Sequence, residues 1–584
     1  MSAMALVLVK FHFRIPPFRH LHGFSVVPIL NLGKFLLSVT EKEEQMKFDD
    51  ILCEHIGEFG RYQKLQYLLV NLPVIITSMH VLSWTFTSEV LPHRCLYPGE
   101  NASSAFQLAA NWSSSTGSFD SSCERYKSVS YWDETIPANA TLEPCVDGYR
   151  WNRTSFSKTA VTEWNLVCDK RWVRSFVQSV YYIGQFFGSY ICGDLSDRFG
   201  RKIVFFISII LQLSCGTLIA VVPYWPVVAL LRFGLGFAHP GIFVIAVVIG
   251  TELVGPKQRV LAGVGAGVFF SLGQVCLGSL AYLFDRYDFL QLAISLPAVF
   301  FCSYYWLVPE SARWLMAKGR LDEAVAVLRR AAKFNGRSLP DRITEIIELE
   351  PHSNEAHKSK NAKPSVGDLF RRPVLRRRSL VVFYVWIAVA CVYYALSINP
   401  SFLGGNLNES FIIGGFLEMP CLFLILLSIN RLGRRLILIA GFLLCTFLIF
   451  ITLLIGNDQE TCKMVLVLLA KSALSGVYAV IYVYTSELFP TVVRNTAMGL
   501  CSMIARVGAI AASYFALWLA ESRASLVSIL YGCIALVAGC LVFFLPETSG
   551  KALAETVEDA ERLKDHFPQL CVHAASNRGE KPPE

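Results

Sequence analysis

Two ionisable residues stand where chains seldom place them. Glu418 lies about eight residues into one long apolar run and Arg506 about nine into another. At that depth in a hydrocarbon layer each costs roughly 2.5 to 3.5 kcal/mol, so neither should face lipid. Arg506 shares a helical face with Ser502 and Ser513 at spacings of four and seven, the pattern of a wetted side. Aromatic faces accompany them. Trp386, Tyr393 and Ser397 line one side of their run, Lys471, Ser475, Tyr478 and Tyr482 fall at i, i+4, i+7 and i+11, and Gln178, Tyr182, Gln185 and Ser189 repeat that spacing. Rings with few fixed charges can hold an ammonium by cation–π attraction, about 0.5 to 2 kcal/mol per ring. Helix packing and interfacial belts account for most tyrosines and tryptophans in apolar segments, and stand as the alternative.

The elements that must position these residues are membrane helices. The chain has 584 residues, 54% of them apolar and 17% charged, with a mean hydropathy of +0.46. About twelve runs near 20 residues long, enough to span about 30 Å of hydrocarbon as helix, lie near 66–89, 174–194, 203–222, 226–250, 260–284, 288–308, 379–399, 410–430, 435–456, 463–486, 497–520 and 525–545. The connection 309–378 carries sixteen Lys/Arg against nine Asp/Glu, so it is expected in the cytoplasm. An even number of spans then leaves both termini inside. The net charge of +8 belongs to inner loops and implies topology rather than nucleic acid.

The segment 90–173 is therefore expected outside. It carries sequons at Asn101, Asn111, Asn139 and Asn152 and an even set of cysteines, Cys95, Cys123, Cys145 and Cys168. In an oxidising compartment these cysteines allow three pairings that spacing does not resolve. Residues 1–45, with Lys10, Arg14, Arg19 and three prolines interrupting apolar patches, do not read as a signal peptide. The expected units are an extension 1–45, a first half 46–308, a linker 309–378, a second half 379–545 and a tail 546–584. One amphipathic helix is expected at 322–334, against the inner leaflet or the inner gate.

An internal repeat sharpens this. DRFGRK at Asp197 is echoed by NRLGRR at Asn430, ELVGPKQR at Glu252 by ELFPTVVR at Glu487, and PESARW at Pro309 by PETSGK at Pro546, at offsets of 233, 235 and 237. Three echoes in one order at nearly one offset divide the chain into two six-helix halves. In GDLSDRFGRK, Gly193 and Gly200 suit close helix approach and a tight turn. Asp197 and Arg201, with Arg198, Glu252, Glu487 and Arg494, suit a charge network across the interface between the halves, a latch for alternating access. The plainer reading is that these charges cap helices and fix topology.

G-x-x-x-D-R-x-G-R-K resembles the signature of the major facilitator superfamily. TEWNLVCDKRW at 162–172, PESARWL at 309–315, GRLDEAVAVLRRAAKFNG at 319–336, VYTSELFPTVVRN at 483–495 and LPETSGKAL at 545–553 resemble the organic cation, carnitine and organic anion transporters, nearest their carnitine and organic cation branch. The match runs from about Met46 to about residue 560. The resemblance implies an all-α membrane fold of twelve helices in two pseudo-symmetric bundles. With no phosphate-cradling glycine loop, metal cluster or nucleophile motif in the sequence, no enzymatic activity and no cofactor or metal is expected. The resemblance places Trp386, Tyr393, Tyr478 and Phe243 on the substrate path, and Gln178 and Tyr182 face it by spacing; His239 is a weaker candidate. Arg506 matches the arginine of the anion and carnitine members, and Glu418 the acidic residue before proline of the cation and carnitine members; the anion members' lysine is Leu422 here. The expected partners are a small organic solute and the lipid bilayer, with the coupling ion unassigned. The expectation is a plasma-membrane transporter of a carnitine-like zwitterion or an amine-bearing cation. An organic anion transporter, or a non-transporting sensor or scaffold on the same fold, is the alternative.

Overall fold

The computed structural model describes residues 48–96, 122–127, 141–154, 156–340, 367–399, 406–456 and 458–551. The extension 1–45, the sequons at Asn101, Asn111 and Asn139, and the end of the tail lie outside them.

Among the described residues, eleven helices are long and apolar enough to cross a membrane: α1 Arg61–Thr87, α3 Arg201–Val221, α4 Trp225–Leu253, α5 Pro256–Leu283, α6 Tyr287–Leu307, α7 Pro373–Ile398, α8 Leu407–Leu432, α9 Arg434–Leu454, α10 Glu460–Leu488, α11 Thr496–Ser522 and α12 Ala524–Val542. The twelfth, α2, is Trp172–Phe199. Its 28 residues reach about 42 Å, but Gln178, Gln185, Ser189 and a charged end hold its hydropathy down. Helix α7 starts at Pro373, inside the expected linker, because proline is preorganised for a first helical turn and leads RRR straight into the apolar run.

The halves repeat in space as in sequence. Gly200 (φ +109°) joins α2 to α3 and Gly433 (φ +85°) joins α8 to α9, left-handed turns that favour glycine. Helices α2 and α4 pack backbone to backbone. A Cβ at Gly184 would run into the Phe233 carbonyl, and one at Gly236 into the Tyr181 carbonyl. At Gly193 a Cβ would meet open space, so the close approach expected there occurs earlier in α2, at Gly184 and Gly188. The halves meet along α2 with α11 and α5 with α8.

Outside, β1 His93–Cys95 pairs antiparallel with β4 Tyr149–Trp151, and β2 Glu124–Tyr126 with β3 Leu142–Pro144. Of the three pairings open in sequence, the structure takes Cys95–Cys145 and Cys123–Cys168. This unit is tied to the first half: Thr159 Oγ1 donates to the Glu89 carbonyl (3.1 Å), Trp164 Nε1 to the Pro223 carbonyl (2.8 Å), and Tyr287 N to the Lys158 carbonyl (3.0 Å).

Inside, the helix Leu321–Phe334 is amphipathic as expected, but its apolar face packs on protein rather than lipid. Val325, Leu328, Ala331 and Ala332 bury against Phe48, Ile51, Leu52 and Ile56 of the lead-in. Asn335 then caps α1, accepting from Tyr62 N (2.8 Å) and donating to the Ile56 carbonyl (3.1 Å).

Candidate functional site

Four helices converge on one buried ion pair. Lys471 Nζ of α10 lies 3.0 Å from Glu418 Oε1 of α8, with side chains 0% and 1% exposed. Glu418 Oε2 accepts from Ser271 Oγ of α5 (3.0 Å), Tyr393 Oη of α7 (3.3 Å) and Ser475 Oγ of α10 (3.2 Å). Lys471 also donates to Gln274 Oε1 of α5 (2.7 Å), whose amide is fixed on the Phe411 carbonyl (2.9 Å). Removing two charges from water is costly, and is offset only when the remaining lone pairs and protons find partners. Here both halves supply them for Oε2 and for the ammonium, while Oε1 meets the ammonium without a hydrogen bond among the described residues.

Beside the pair stands a chamber of aromatic rings. Tyr393 and Tyr394 of α7 contact each other (centroids 5.5 Å) and both meet Tyr478 of α10 at 5.7 and 6.4 Å; Tyr182 of α2 reaches Tyr394 from the first half at 5.1 Å. The Tyr182 and Tyr478 hydroxyls are buried with no hydrogen-bond partner among the described residues. Trp386 sits toward the inner end, against Tyr482 at 4.6 Å, with its indole N–H on Thr485 (3.1 Å). Arg506 of α11 enters this chamber 2% exposed. Its one hydrogen bond among the described residues goes to Tyr394 Oη (3.2 Å), and Nε has none. Among the described residues no carboxylate lies within ion-pair distance of it.

Of the residues read from sequence, Arg506, Tyr393, Tyr478 and Tyr182 come together. Phe243 stacks on His239 (5.8 Å), and the His239 ring meets Tyr181 Oη (3.2 Å), so both belong to the first-half wall. Gln178 accepts from Arg232 Nη2 (2.5 Å) and donates to the Val81 carbonyl (3.4 Å), which places it in an internal network of the first half. Sequence reasoning missed Tyr394, Ser271, Gln274 and Arg232. Arg232 lies 1% exposed with its guanidinium over the rings of Trp84 (4.7 Å) and Tyr181 (5.3 Å). The insertion-cost argument that found Arg506 applies equally to this arginine seven residues inside α4.

The inner-face charges correct the expected latch. Arg201 pairs with Asp197 (2.5 Å) and Glu252 (3.5 Å), all in the first half, so this network does not cross between halves. Arg198 pairs with Asp194 at the exposed rim (2.9 Å). Glu310, after α6, accepts from Arg201 N (3.0 Å) and Lys202 N (3.3 Å) at the start of α3. Burial pushes its carboxyl above the ordinary range, while those N–H groups and Arg201 pull it back. In the second half Glu547 accepts from Arg434 N and Arg435 N (3.0 Å each), and Arg434 Nη2 meets Glu487 (3.0 Å). Arg494 lies near Glu487 with Nε and Nη2 unpartnered.

Among the described residues, the ion pair that does cross the halves is on the outer face. Arg174 Nη1 of α2 contacts Glu521 Oε1 of α11, the Arg174 carbonyl accepts from Trp84 Nε1 (3.0 Å), and the Phe86 and Phe411 rings meet edge to face at 4.9 Å. Glu89 stands near the same pair. Burial pushes its carboxyl up to about 7, Arg174 drawing it down and Glu521 adding to the rise.

Known proteins agree with this architecture. A family model described as sugar (and other) transporter matches residues 118–560. An organic cation transporter protein of Drosophila melanogaster is 38% identical over 525 residues, covering 89% of this chain and 95% of the relative. Organic anion transporter 3 of Oryctolagus cuniculus is 33% identical over 524 residues, covering 88% and 94%. The inward-open conformation of a xylose transporter from E. coli superposes with a TM-score of 0.58 at 18% identity, covering 85% of this chain and 99% of that one, a likeness of fold.

Proposed function

We propose that this chain, which belongs to the organic cation and organic anion transporter family of the major facilitator fold, carries organic anions with apolar or aromatic bodies, Arg506 holding the anionic group. It is a multi-pass membrane transporter of organic solutes, not an enzyme. One observation carries the substrate reading: Glu418 is already neutralised by Lys471, whereas Arg506 has a single, neutral partner among the described residues. A buried guanidinium without a counter-charge is costly. An incoming carboxylate or sulfonate would supply that charge with bidentate geometry, and the four tyrosines would enclose its body.

A zwitterion is the second reading, favoured by those rings. Tyr182, Tyr393, Tyr394 and Tyr478 offer faces for a quaternary ammonium while Arg506 takes the carboxylate, the carnitine-like arrangement expected from sequence.

The test is uptake of labelled hippurate, carnitine and tetraethylammonium into cells expressing the chain, as wild type and Arg506→Asp. Hippurate uptake should exceed the others and fall at least about 30-fold in the variant at equal surface expression, as when one partner of a buried charge pair is lost. An unchanged profile would make Arg506 structural.

Transport proceeds by alternating access in this reading, at the plasma membrane with both termini inside, and Asn152 carries a glycan outside. Arg174–Glu521 is the outer latch. The inner networks around Asp197, Arg201 and Glu252, and around Glu487 and Arg494, brace each half as it rocks. Protonation should favour the closed outer face. Glu89 titrates near 7 when closed and near its ordinary 4.5 when wet, so closing takes up a proton between those values. The advantage is full below about 4.5 and lost as external pH rises through 7. Glu89→Gln should flatten the dependence of uptake on external pH; a retained dependence would assign it elsewhere.

A further inference from the structure

The pair beside the chamber does more than fill space. Glu418 meets the Lys471 ammonium and three hydroxyls, those of Ser271, Tyr393 and Ser475. The three hydroxyls all meet Oε2, while Oε1 faces the ammonium and has no hydrogen bond among the described residues, so an ammonium guest finds the charge of the group already balanced. Lys471 in turn is held by Gln274 and lies 5.9 Å from the ring centroids of both Tyr393 and Phe411. Tyr393 touches Glu418 on one side and packs on Tyr394 and Tyr478 on the other. The carboxylate is therefore one ring away from the space around Arg506, close enough for its charge to be felt where water is excluded.

We propose that Lys471 determines the charge class of substrate by cancelling Glu418. With both present, the formal charge on the second-half side of the chamber is the single positive charge of Arg506, which suits an anion, and Arg232 in the first-half wall adds to it. Without the lysine, Glu418 and Arg506 balance on the second-half side, the chamber loses one positive charge, and a zwitterion or a cation gains. Without the glutamate, it has one positive charge more and anions gain further. This assignment rests on the anion reading above and adds a residue on α10 that need not touch substrate. It is a positioning role exercised through charge.

The cycle to measure is the ratio of labelled hippurate uptake to labelled carnitine and tetraethylammonium uptake, each normalised to surface protein, in wild type, Lys471→Met, Glu418→Gln and the double variant. Lys471→Met should lower the hippurate ratio about 10-fold or more, and Glu418→Gln should hold or raise it. The double variant should return to within about 3-fold of wild type, because both charges leave together. Lys471→Gln, which keeps a donor for Gln274 without the charge, is read beside Lys471→Met in case the methionine variant folds poorly, and should shift the ratio the same way. Lower total uptake at an unchanged ratio in the single variants, or a double variant that stays shifted, overturns the assignment. Wild type that carries only tetraethylammonium would instead overturn the anion reading itself. Wild type that carries hippurate with one ratio across all variants sinks the role of Lys471 alone.

Discussion

The two inner-face networks are copies that have drifted apart, and what they share differs from what they lost. In both, a glutamate after the sixth helix of its half, Glu310 or Glu547, accepts successive backbone N–H groups at a helix start just past a left-handed glycine. In both, the first arginine of that helix reaches a glutamate at the end of the fourth, Glu252 or Glu487. The aspartate is not shared. Asp197 has Asn430 as its counterpart, and Arg434 is satisfied instead by the Ile429 carbonyl (3.2 Å) and Ser549 Oγ (3.1 Å), while Thr548 Oγ1 donates to Glu487 (2.6 Å). Asp197 itself is 71% exposed. The lesson is that the carboxylate capping the helix start is the structural constant and the aspartate is an outer accessory.

The largest effect should come from removing the constant. Glu310→Ala and Glu547→Ala each strand backbone donors at a helix start and should cost about 2 to 3 kcal/mol, read as lower melting temperature in detergent and lost surface expression. Equal losses in the two halves would sharpen the comparison; a loss in one alone would break it. Next come the arginines. Arg434 is more completely partnered, so Arg434→Ala should cost about 2 kcal/mol and Arg201→Ala about 1, a difference that melting curves resolve. The smallest effect belongs to Asp197→Asn, which makes the first half resemble the second and should change stability by less than about 1 kcal/mol, since exposed pairs contribute little. A collapse of transport in that variant, with stability intact, would restore Asp197 to a gating role.

Much of this architecture is legible in the chain, because hydropathy runs and the 233–237 offset report helix count and repeat directly. Helix α2 is legible as the run 174–194 but stands out less than the others, its polar face lowering the hydropathy that marks them. The chamber is half legible. Arg506 and Glu418 betray themselves by the cost of burying them, and Tyr393 and Tyr478 by helical period. Their partners do not, because whether Lys471 meets Glu418 depends on how α10 is turned against α8, which no one-dimensional spacing encodes. Tyr394 was hidden by its neighbour: adjacent residues on a helix point about 100° apart, yet both reach the chamber because α7 is buried nearly all round. Arg174 and Glu521 sit near helix ends, where charges are ordinary, and their pairing over 347 residues is a fact of the assembled halves alone.

The α2–α4 seam bears on how inherited variation in this chain should be read. Gly184 and Gly236 touch no ion, ring or gate, and each faces a neighbouring carbonyl where a methyl group has no room. A missense change to alanine or serine at either would force apart the two helices that present Tyr182, Tyr181 and His239 to the chamber. A genotype carrying one should score as loss of function although both positions look innocuous in chemical character. Its defect should map to protein abundance rather than to affinity for any solute.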